Sequence, residues 1–492
     1  MSDEGFEASG FAQSFQRFLD DLHRLVPPPG SAFRQRAVDH LGADPEGLPS
    51  VAEQVAPSDL PNVQLALDAL LSETPGWQLL GLPSEARHYG GFSLASVLSG
   101  RMGPDIAPTA ASYVNVPVGV DETLPCVELG VFLLTFDGAP LVLLVAAGME
   151  HGPRPGLVLE ALSAERQTSA RFLTRLRALM HERNVYRGKV LAFTFSEYGG
   201  FGVTFRRVPR LARDDVILPE PVLAAIEDHT VAVSAHADAL RAAGRHLKRG
   251  LLLFGPPGTG KTPSVMYLCN QMPGRTTLLL SGVGASALGQ AVAIARSLQP
   301  SMVVLEDVDL VAMERTMPAM GTNPLLFQLL NEMDGLAEDA DVLFVLTTNR
   351  VELLEPALAA RPGRIDQAVE ITLPDERSRL RLFQLYLRGV RHDLSAAGLD
   401  QLVAGTAGAS AAFVKELVRR AVLAGAKAGE EVVTAARLRQ ALADLLDHSA
   451  PIVRSTLGAA PGVAAGWREA RARPPAGDAG VDPGPSPPDG AR

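Results

Sequence analysis

The chain has 492 residues, of which 47% are hydrophobic and 20% charged, and its formal net charge is −10. A length of this order supports about two to four domains, and the composition is that of an ordinary globular protein. The acidic balance argues against a dedicated nucleic-acid binder, which usually carries a basic face. Cys126 and Cys269 stand far apart without CxxC spacing, which predicts neither a disulfide framework nor a zinc site. Because the N-terminus is also acidic and polar and lacks a signal-peptide pattern, the sequence predicts a cytoplasmic protein.

The N-terminal stretch carries apolar residues at helical spacing before a Pro-Pro-Pro-Gly stop. It predicts an amphipathic helix within residues 1–30, which packs on its own domain or, as the less favoured alternative, docks on a partner. Residues 41–61 are rich in Pro, Gly, Ser and acids and predict a loop. A second helix is predicted at Val63–Leu71.

Residues 31–212 predict a separate α+β domain that recruits a substrate or partner. Its segment Val127–Gly148 is apolar enough to resemble a membrane span, but Asp137-Gly138 at the centre is a strong hairpin signal. We therefore predict two strands there and no membrane span. No grouping of acids, nucleophile and base, or metal ligands appears in this domain, and H-E-x-x-H occurs nowhere in the sequence. Further strands are predicted at Tyr113–Val118, Leu157–Leu162, Lys189–Phe195 and Phe201–Val208, and a helix at Ala164–Arg183.

Residues 251–262 read LLLFGPPGTGKT, an apolar strand followed by a G-x-x-x-x-G-K-[ST] phosphate loop without a mismatch. In such a loop successive backbone N–H groups face a polyphosphate at the start of a helix. Lys261 is predicted to reach the β- and γ-phosphates, and the Thr262 hydroxyl to ligate Mg²⁺. The predicted ATP-binding residues here are Gly255, Pro256, Pro257, Gly258, Thr259, Gly260, Lys261, Thr262 and Pro263.

Two more apolar strands follow, and each ends in polar residues. Met302–Leu305 leads into Glu306-Asp307-Val308-Asp309, and Val342–Leu346 leads into Thr347-Thr348-Asn349-Arg350. The C-terminal ends of parallel strands line the ligand crevice of an α/β sheet. One acid can hold Mg²⁺ and the next can polarise the attacking water, while an amide can contact the γ-phosphate or that water. Downstream, Arg361 and Arg364 flank a Pro-Gly turn, and arginines from a neighbouring subunit can neutralise a transferred phosphoryl group.

Together these features resemble an AAA-type ATPase. The motifs that carry the resemblance are GPPGTGKT, the acid pair, LLNEMDGL at Leu329–Leu336, TTNR and ARPGRID, within about residues 213–450. The acid pair is similar to that of mitochondrial Rieske-protein translocases, and LLNEMDGL to proteasome-type ATPases. The resemblance implies a P-loop doubly wound parallel sheet over residues 213–372, a helical lid over residues 373–450, ATP and Mg²⁺ as cofactors, and a homo-oligomeric ring, usually a hexamer.

The resemblance also implies roles for single residues. Asn349 is the sensor-1 residue, and Arg361 and Arg364 are arginine fingers that act in trans. By position Glu306 serves Mg²⁺ together with Thr262, and Asp307 is the catalytic acid. Most members carry Asp and then Glu, so the shorter Asp307 predicts slow hydrolysis. Residues 406–410 resemble the family's TEGFSGADL segment over the adenosine, which adds Gly408 and Ala409 to the ATP site.

Two further stretches bear on function. In the position of the pore loop, Leu280–Gly289 contains no aromatic residue, and small residues would grip a threaded chain poorly. A later loop, Met313–Thr322, carries two methionines that could contact a substrate or pack locally. Residues 451–492 are rich in Pro, Gly and Ala and predict a disordered tail.

The main hypothesis is therefore a Mg²⁺-ATP-dependent ring ATPase that remodels a protein partner recruited by its N-terminal domain. The first alternative is a nucleotide-gated scaffold or switch that holds a partner without threading it. The second is a nucleic-acid motor or loader, which the acidic charge and the lack of an aromatic and basic stripe disfavour. No nucleic-acid partner is expected.

Overall fold

The computed structural model describes residues 32–82, 93–98, 107–147, 156–195, 201–281, 287–309, 324–354 and 364–447. The chain divides into two compact units between Arg207 and Val208. The helix predicted within residues 1–30 and the predicted tail at 451–492 lie outside the described residues. Arg361, residues 282–286 of the predicted pore segment and the loop with the two methionines also lie outside them.

The first unit is built on an antiparallel sheet in the order β1-β6-β5-β4-β2, with β3 pairing along the first half of β4. An antiparallel hairpin, β7 and β8, follows. The strands are β1 (Ser50–Val55), β2 (Gln78–Gly81), β3 (Ser112–Pro117), β4 (Thr123–Phe136), β5 (Ala139–Ala147), β6 (Leu157–Ser163), β7 (Val190–Phe195) and β8 (Phe201–Phe205).

Helices cover both faces of this sheet. One core joins the sheet to α2 and α4, and the other joins it to α1 and α3. In β5, Leu141, Leu143 and Val145 belong to the first core, whereas Val142, Leu144 and Ala146 belong to the second. A strand buried on both faces needs apolar residues at every position, which explains why this stretch resembles a membrane span in the sequence. The helices are α1 (Ala32–Leu41), α2 (Leu60–Ser72), α3 (Leu94–Leu98) and α4 (Arg166–Glu182).

The predicted hairpin is confirmed. Asp137 and Gly138 connect β4 to β5 with φ angles of 51° and 79°, the left-handed conformation of both central residues in a type I′ turn. The loop predicted over residues 41–61 is wrong in part, because Ser50–Val55 forms β1 at the sheet edge. Its side chains alternate between exposed and half-buried, but the polar residues Ser50, Glu53 and Gln54 do not follow that alternation, so the sequence does not show the pattern of a strand.

The second unit begins with a helical linker. α5 (Glu220–Glu227) runs into a π-helical segment, Asp228–Ala232, and a single turn, Val233–Ala235, before α6 (Ala237–Ala242). From the sequence alone, we predict one helix over Ser234–Leu247, and the structure shows that this prediction is too long at its C-terminal end. The chain turns at Gly244, which has a φ of 65° and ends the helix as glycines commonly do.

Five parallel strands follow, in the order β13-β9-β12-β11-β10. Their core positions are almost fully buried, as expected for a parallel sheet covered on both faces. The order places β9, which precedes the phosphate loop, beside β12, which in turn lies beside β11. The strands are β9 (Arg249–Phe254), β10 (Thr276–Ser281), β11 (Ser301–Glu306), β12 (Val342–Thr348) and β13 (Gln367–Glu370), and the helices between them are α7 (Lys261–Gln271), α8 (Leu288–Ser297) and α9 (Pro324–Asp334).

A helical lid closes the second unit. Its helices are α10 (Glu376–Tyr386), α11 (Ala396–Gly405), α12 (Ala411–Lys427) and α13 (Ala435–Asp447). They bury a core of their own around Phe383, Phe413 and Leu442. Asp375, Ser395 and Ser410 cap the first three of these helices with side-chain oxygens, as their residue types predict.

Candidate nucleotide site

The phosphate loop links β9 to α7 through three glycines in the left-handed region. Gly255, Gly258 and Gly260 have φ angles of 140°, 75° and 119°. A Cβ on Gly255 would lie 2.2 Å from the carbonyl oxygen of Ile371, and one on Gly258 would lie 2.9 Å from Ser410 Oγ. The loop therefore needs glycine both for its turn and for close packing against the Ile371 backbone and the Ser410 side chain.

Lys261 is the first residue of α7, and its side chain folds back over the loop. Its Nζ donates to the carbonyl oxygens of Gly255 at 2.9 Å and Pro256 at 2.8 Å. Burial lowers the pKa of Lys261, and the carboxylates of Asp307 and Asp309 oppose that shift. The predicted lysine and the predicted acid thus belong to one electrostatic cluster. Thr262 and Pro263, the other predicted residues of this turn, are exposed.

The acid pair lies where β11 ends. Glu306 is the last residue of the strand, and Asp307 follows with a φ of 48°. The Asp307 N–H donates to Thr347 Oγ1 at 3.0 Å, and Asn349 Nδ2 donates to Asp307 Oδ1 at 3.2 Å. Asparagine and aspartate tolerate the left-handed region better than bulkier residues do. The structure therefore places the predicted catalytic acid and the predicted sensor residue in direct contact.

Asp309 is a residue of this site that the sequence analysis did not select. It is 3% exposed, and its Oδ1 accepts hydrogen bonds from Thr348 Oγ1 at 2.9 Å and from Asn349 N at 3.1 Å. A buried carboxylate is costly unless donors satisfy it, and here those donors come from the end of β12. Asp309 thus fixes the backbone of Asn349, whose side chain holds Asp307. The signal in the sequence was the third acid of the Glu306-Asp307-Val308-Asp309 run.

The lid and the linker contact the phosphate loop from outside the sheet. Ala412 N, at the start of α12, donates to Gly258 O at 3.1 Å. The predicted Gly408 and Ala409 belong to the turn just before this helix, with Gly408 at a φ of 79° and Ala409 fully buried. The Leu218 side chain reaches the space beside Gly260, 3.9 Å from where a Cβ would be. Leu218 is therefore a second residue near the loop that the sequence analysis missed.

Arg364 lies at the other edge of the sheet. A Cβ on Gly250, near the start of β9, would lie 2.2 Å from the Arg364 carbonyl oxygen. Four residues of extended strand, or about 13 Å, separate Gly250 from Phe254, after which the phosphate loop begins. The Arg364 Nε pairs with the Asp334 carboxylate at the end of α9. The structure brings Lys261, Asp307 and Asn349 together, and it does not place Arg364 with them.

The residues at the end of β11 fit a hard cation. Among the described residues, Glu306 Oε1 is buried and has no hydrogen-bond partner. A buried carboxylate oxygen without a donor is unfavourable unless a cation or water satisfies it. Carboxylate and hydroxyl oxygens are the ligands that Mg²⁺ prefers, which suits Glu306 together with Thr262.

Comparison with known proteins agrees with this geometry. The family described as "ATPase family associated with various cellular activities (AAA)" matches residues 251–373. This chain contains an AAA ATPase domain. ATP hydrolysis is therefore the activity of the domain, and its match runs from the first buried residues of β9 to the segment just before the lid.

Curated relatives extend the similarity around the AAA domain. The chain is 33% identical over 273 residues to ATP-dependent zinc metalloprotease FtsH 4 of Sphaerobacter thermophilus, covering 51% of this chain and 40% of the relative. It is 33% identical over 212 residues to ATP-dependent zinc metalloprotease YME1L of Drosophila melanogaster, covering 40% and 26%. The chain thus spans less than half the length of these relatives.

A solved structure of the FIGL-1 AAA domain has 24% identity and a TM-score of 0.39 over 46% of this chain and 81% of that chain. A second structure of the same domain in complex with ADP has 23% identity and a TM-score of 0.40 over 48% and 85%. Among the described residues, no helix combines the length and the apolar character that crossing a membrane requires.

Proposed function

We propose that this protein is a Mg²⁺-ATP-dependent hexameric ring ATPase that remodels a protein partner recruited by its first unit. One observation supports the proposed ring assembly. Lys261, Asp307 and Asn349 lie at one end of β9, whereas Arg364 lies at the other end. An arginine so placed cannot complete the site of its own subunit, but in a ring it can face the site of a neighbour. Arg361 is proposed to act beside it.

The residues of the site divide the work. Lys261 and the loop N–H groups bind the phosphates, and Gly408, Ala409 and Leu218 enclose the nucleoside side of the loop. Asp307 orients the attacking water and accepts its proton, while Asn349 holds the carboxylate by the 3.2 Å hydrogen bond. Glu306 and Thr262 would hold Mg²⁺, which would neutralise charge on the phosphate oxygens when bound. Arg364 of one subunit stabilises the transferred phosphoryl group of the next.

The remodelling role rests on the two-unit organisation and on the relatives. The first unit is a compact unit with its own sheet and cores, and no group of metal-ligating residues occurs in its described part. The matched relatives are named ATP-dependent zinc metalloproteases, but the 492 residues contain no H-E-x-x-H, and no metal-binding cluster occurs among the described residues. We propose ATP-driven work on a protein partner in the cytoplasm, without peptidase chemistry in this chain.

Subunit mixing tests the proposal. Asp307→Asn chains should retain ATP binding and lose hydrolysis. Because they keep Arg361 and Arg364, they should lower the activity of a mixture with wild-type chains only in proportion to their share. Arg361→Ala and Arg364→Ala chains should lower that activity more steeply, because each also removes a group from the site of a wild-type neighbour. A fall that is no steeper with the arginine variants than with Asp307→Asn would contradict shared sites.

A nucleotide-gated scaffold is the second candidate, and the order of the acid pair favours it. Asp307 is one methylene shorter than the glutamate of most members, and the structure ties it to Asn349. Such a site can bind ATP tightly and hydrolyse it slowly. ATP-dependent unfolding of a tagged, folded protein would refute the scaffold. Nucleotide-dependent partner binding with no unfolding would favour it over the remodelling ATPase.

A further inference from the structure

The segment that carries Arg364 is anchored to β9 through one aspartate. Asp366, two residues after Arg364, accepts a hydrogen bond from Gly250 N on its Oδ2 at 2.9 Å. Its own N–H donates to Gly250 O at 3.0 Å. A single residue of β9 is thus held by both the side chain and the backbone of Asp366.

The contact between Asp366 and β9 requires glycine at position 250. A Cβ at position 250 would lie 2.2 Å from Arg364 O and 2.9 Å from Ile365 Cδ1. At 2.2 Å the backbone would have to move, since real Cβ atoms do not approach an oxygen so closely. Gly250 therefore lets the arginine segment lie directly against the strand, and Asp366 keeps it there.

His229 supports the same point from the linker. It belongs to the π-helical segment Asp228–Ala232, and its ring lies near Gly250. Arg249 and Asp366 are the charged groups near it, and burial is the main cause of its lowered pKa. Short π-helical segments often occur at functional sites because they shift a side chain out of helical register.

The ion pair between Arg364 and Asp334 cannot provide this anchor alone. The side chains of the two residues are 32% and 34% exposed, so water screens the attraction. This ion pair orients the Arg364 guanidinium through its Nε, but it does not fix the position of the Arg364 backbone. The two hydrogen bonds of Asp366 act on that backbone, next to the Arg364 carbonyl.

We propose that Asp366 is the positioning residue for Arg364, which it fixes to the strand whose other end carries the phosphate loop. The inference rests on the proposed function, in which Arg364 serves the neighbouring subunit. Since an arginine finger stabilises charge only at the correct distance, a displacement of about 1 Å can cost about 100-fold in rate. Asp366 would then control the turnover of the neighbour's site and leave the nucleotide affinity of its own site unchanged.

The test measures ATP turnover of Asp366→Ala chains, alone and mixed with Lys261→Met chains. The Lys261→Met chains cannot hold the phosphates but keep Arg364 and Asp366. We expect Asp366→Ala alone to lose about 100-fold in kcat with KM for ATP unchanged. Mixing should restore activity, because Lys261→Met subunits supply a correctly placed Arg364 to the intact sites of Asp366→Ala subunits. Failure of the mixture to recover, beside a recovering Arg364→Ala mixture, would overturn the inference.

The Arg364→Ala arm separates this inference from the proposed function. If Arg364→Ala is fully active alone, or if Lys261→Met fails to rescue it, Arg364 is no finger in trans and both proposals fail. Gly250→Ala provides a second route to the same displacement, and we expect it also to lose kcat and to recover on mixing. Asp366→Asn retains an oxygen for Gly250 N and should keep most of the activity.

Asp393→Ala is the matched control. Asp393 is an exposed aspartate whose Oδ1 accepts from a backbone N–H, that of Ala435 in the lid, at 2.8 Å. Its loss removes a comparable hydrogen bond far from Arg364 in the sequence, and we expect unchanged kcat. An equal fall of kcat in Asp393→Ala and Asp366→Ala would show a general loss of folding and overturn the inference.

Discussion

The two sheets of this protein have similar compositions and different strand directions, and the direction decides where chemistry can gather. Both are built from Leu- and Val-rich strands that are buried on two faces. In the antiparallel sheet of the first unit, successive strands end at opposite edges, so the residues that follow them are dispersed. In the parallel sheet, the ends of β9, β11 and β12 meet at one edge.

That shared edge explains the site. Residues far apart in the sequence, Lys261, Asp307 and Asn349, converge because each follows the C-terminal end of a neighbouring strand. The opposite edge receives the start of the strands and holds Arg364 beside Gly250. A parallel sheet thus gives each subunit two functional edges, one for its own nucleotide and one that can serve a neighbour.

Loss of the lysine in the phosphate loop should give the largest difference in effect between the two units. We expect Lys261→Met to reduce ATP turnover by about 100- to 1,000-fold, because a buried cation at the phosphates is removed. The unfolding transition of the first unit should not change. Lys248→Met is the control. The Lys248 Nζ donates a hydrogen bond of 3.0 Å to Met333 O, and this contact lies away from the phosphate loop. Equal turnover in Lys261→Met and wild type would contradict the site.

A cavity in the first unit should lower the stability of that unit and leave ATP turnover unchanged. Phe172 is fully buried on α4 and packs edge-to-face on Phe136 with ring centroids 5.4 Å apart. Phe172→Ala should lower the free energy of unfolding of this unit by about 3–5 kcal/mol, measured by denaturant titration. Turnover per folded chain should remain at the wild-type value. Thr174→Ala, on the exposed side of the same helix, should change stability by less than about 0.5 kcal/mol.

The Asp309→Ala variant tests whether the buried carboxylate of Asp309 holds Asn349 in place at the shared edge of the parallel sheet. Asp309→Ala leaves Thr348 Oγ1 and Asn349 N without their acceptor, which should cost about 1–3 kcal/mol of unfolding free energy. We expect kcat to fall about tenfold as Asn349 loses its position. Asp309→Asn keeps an acceptor oxygen and should show a smaller fall in kcat. Unchanged kcat in the alanine variant would mean that Asn349 is positioned by other contacts.

A surface carboxylate of the lid should give the smallest effect. Glu416 pairs with Arg419 at 2.6 Å and Arg420 at 2.9 Å, and these hydrogen bonds lower its pKa from 4.5 to about 2. Because the folded pKa is lowered, the stabilisation is present above pH 4.5 and is lost as the pH falls toward 2. Glu416→Gln should cost about 0.5–1 kcal/mol at pH 7 and nothing near pH 2. A cost independent of pH would exclude the ion pairs as its source.

Much of the fold could be predicted because single segments encode it. The hairpin at Asp137-Gly138, the phosphate loop after β9 and the apolar runs of β11 and β12 are all local patterns. The edge strand β1 was missed because its polar residues, Ser50, Glu53 and Gln54, do not alternate with apolar ones along the strand. Helix length in the linker was overestimated because Gly244 ends the helix earlier than the apolar pattern does.

The candidate site was predictable as far as its motifs reached. Lys261, Asp307 and Asn349 were selected from the sequence, and the structure brings them together. The role of Asp309 depends on donors from β12, 39 and 40 positions along the chain. The hydrogen bond between Asp366 and Gly250 joins residues that are 116 positions apart in the sequence. Such contacts depend on strand order, which no local pattern specifies.

The most direct test of the account is the rate of ATP turnover per chain as a function of protein concentration, with the assembly state followed in parallel by sedimentation. If each site needs Arg364 from a neighbour, the rate per chain should be near zero for monomers. It should rise steeply as rings form and then reach a plateau. A rate per chain that stays constant down to concentrations at which the protein is monomeric would show that each chain completes its own site, and would contradict the account.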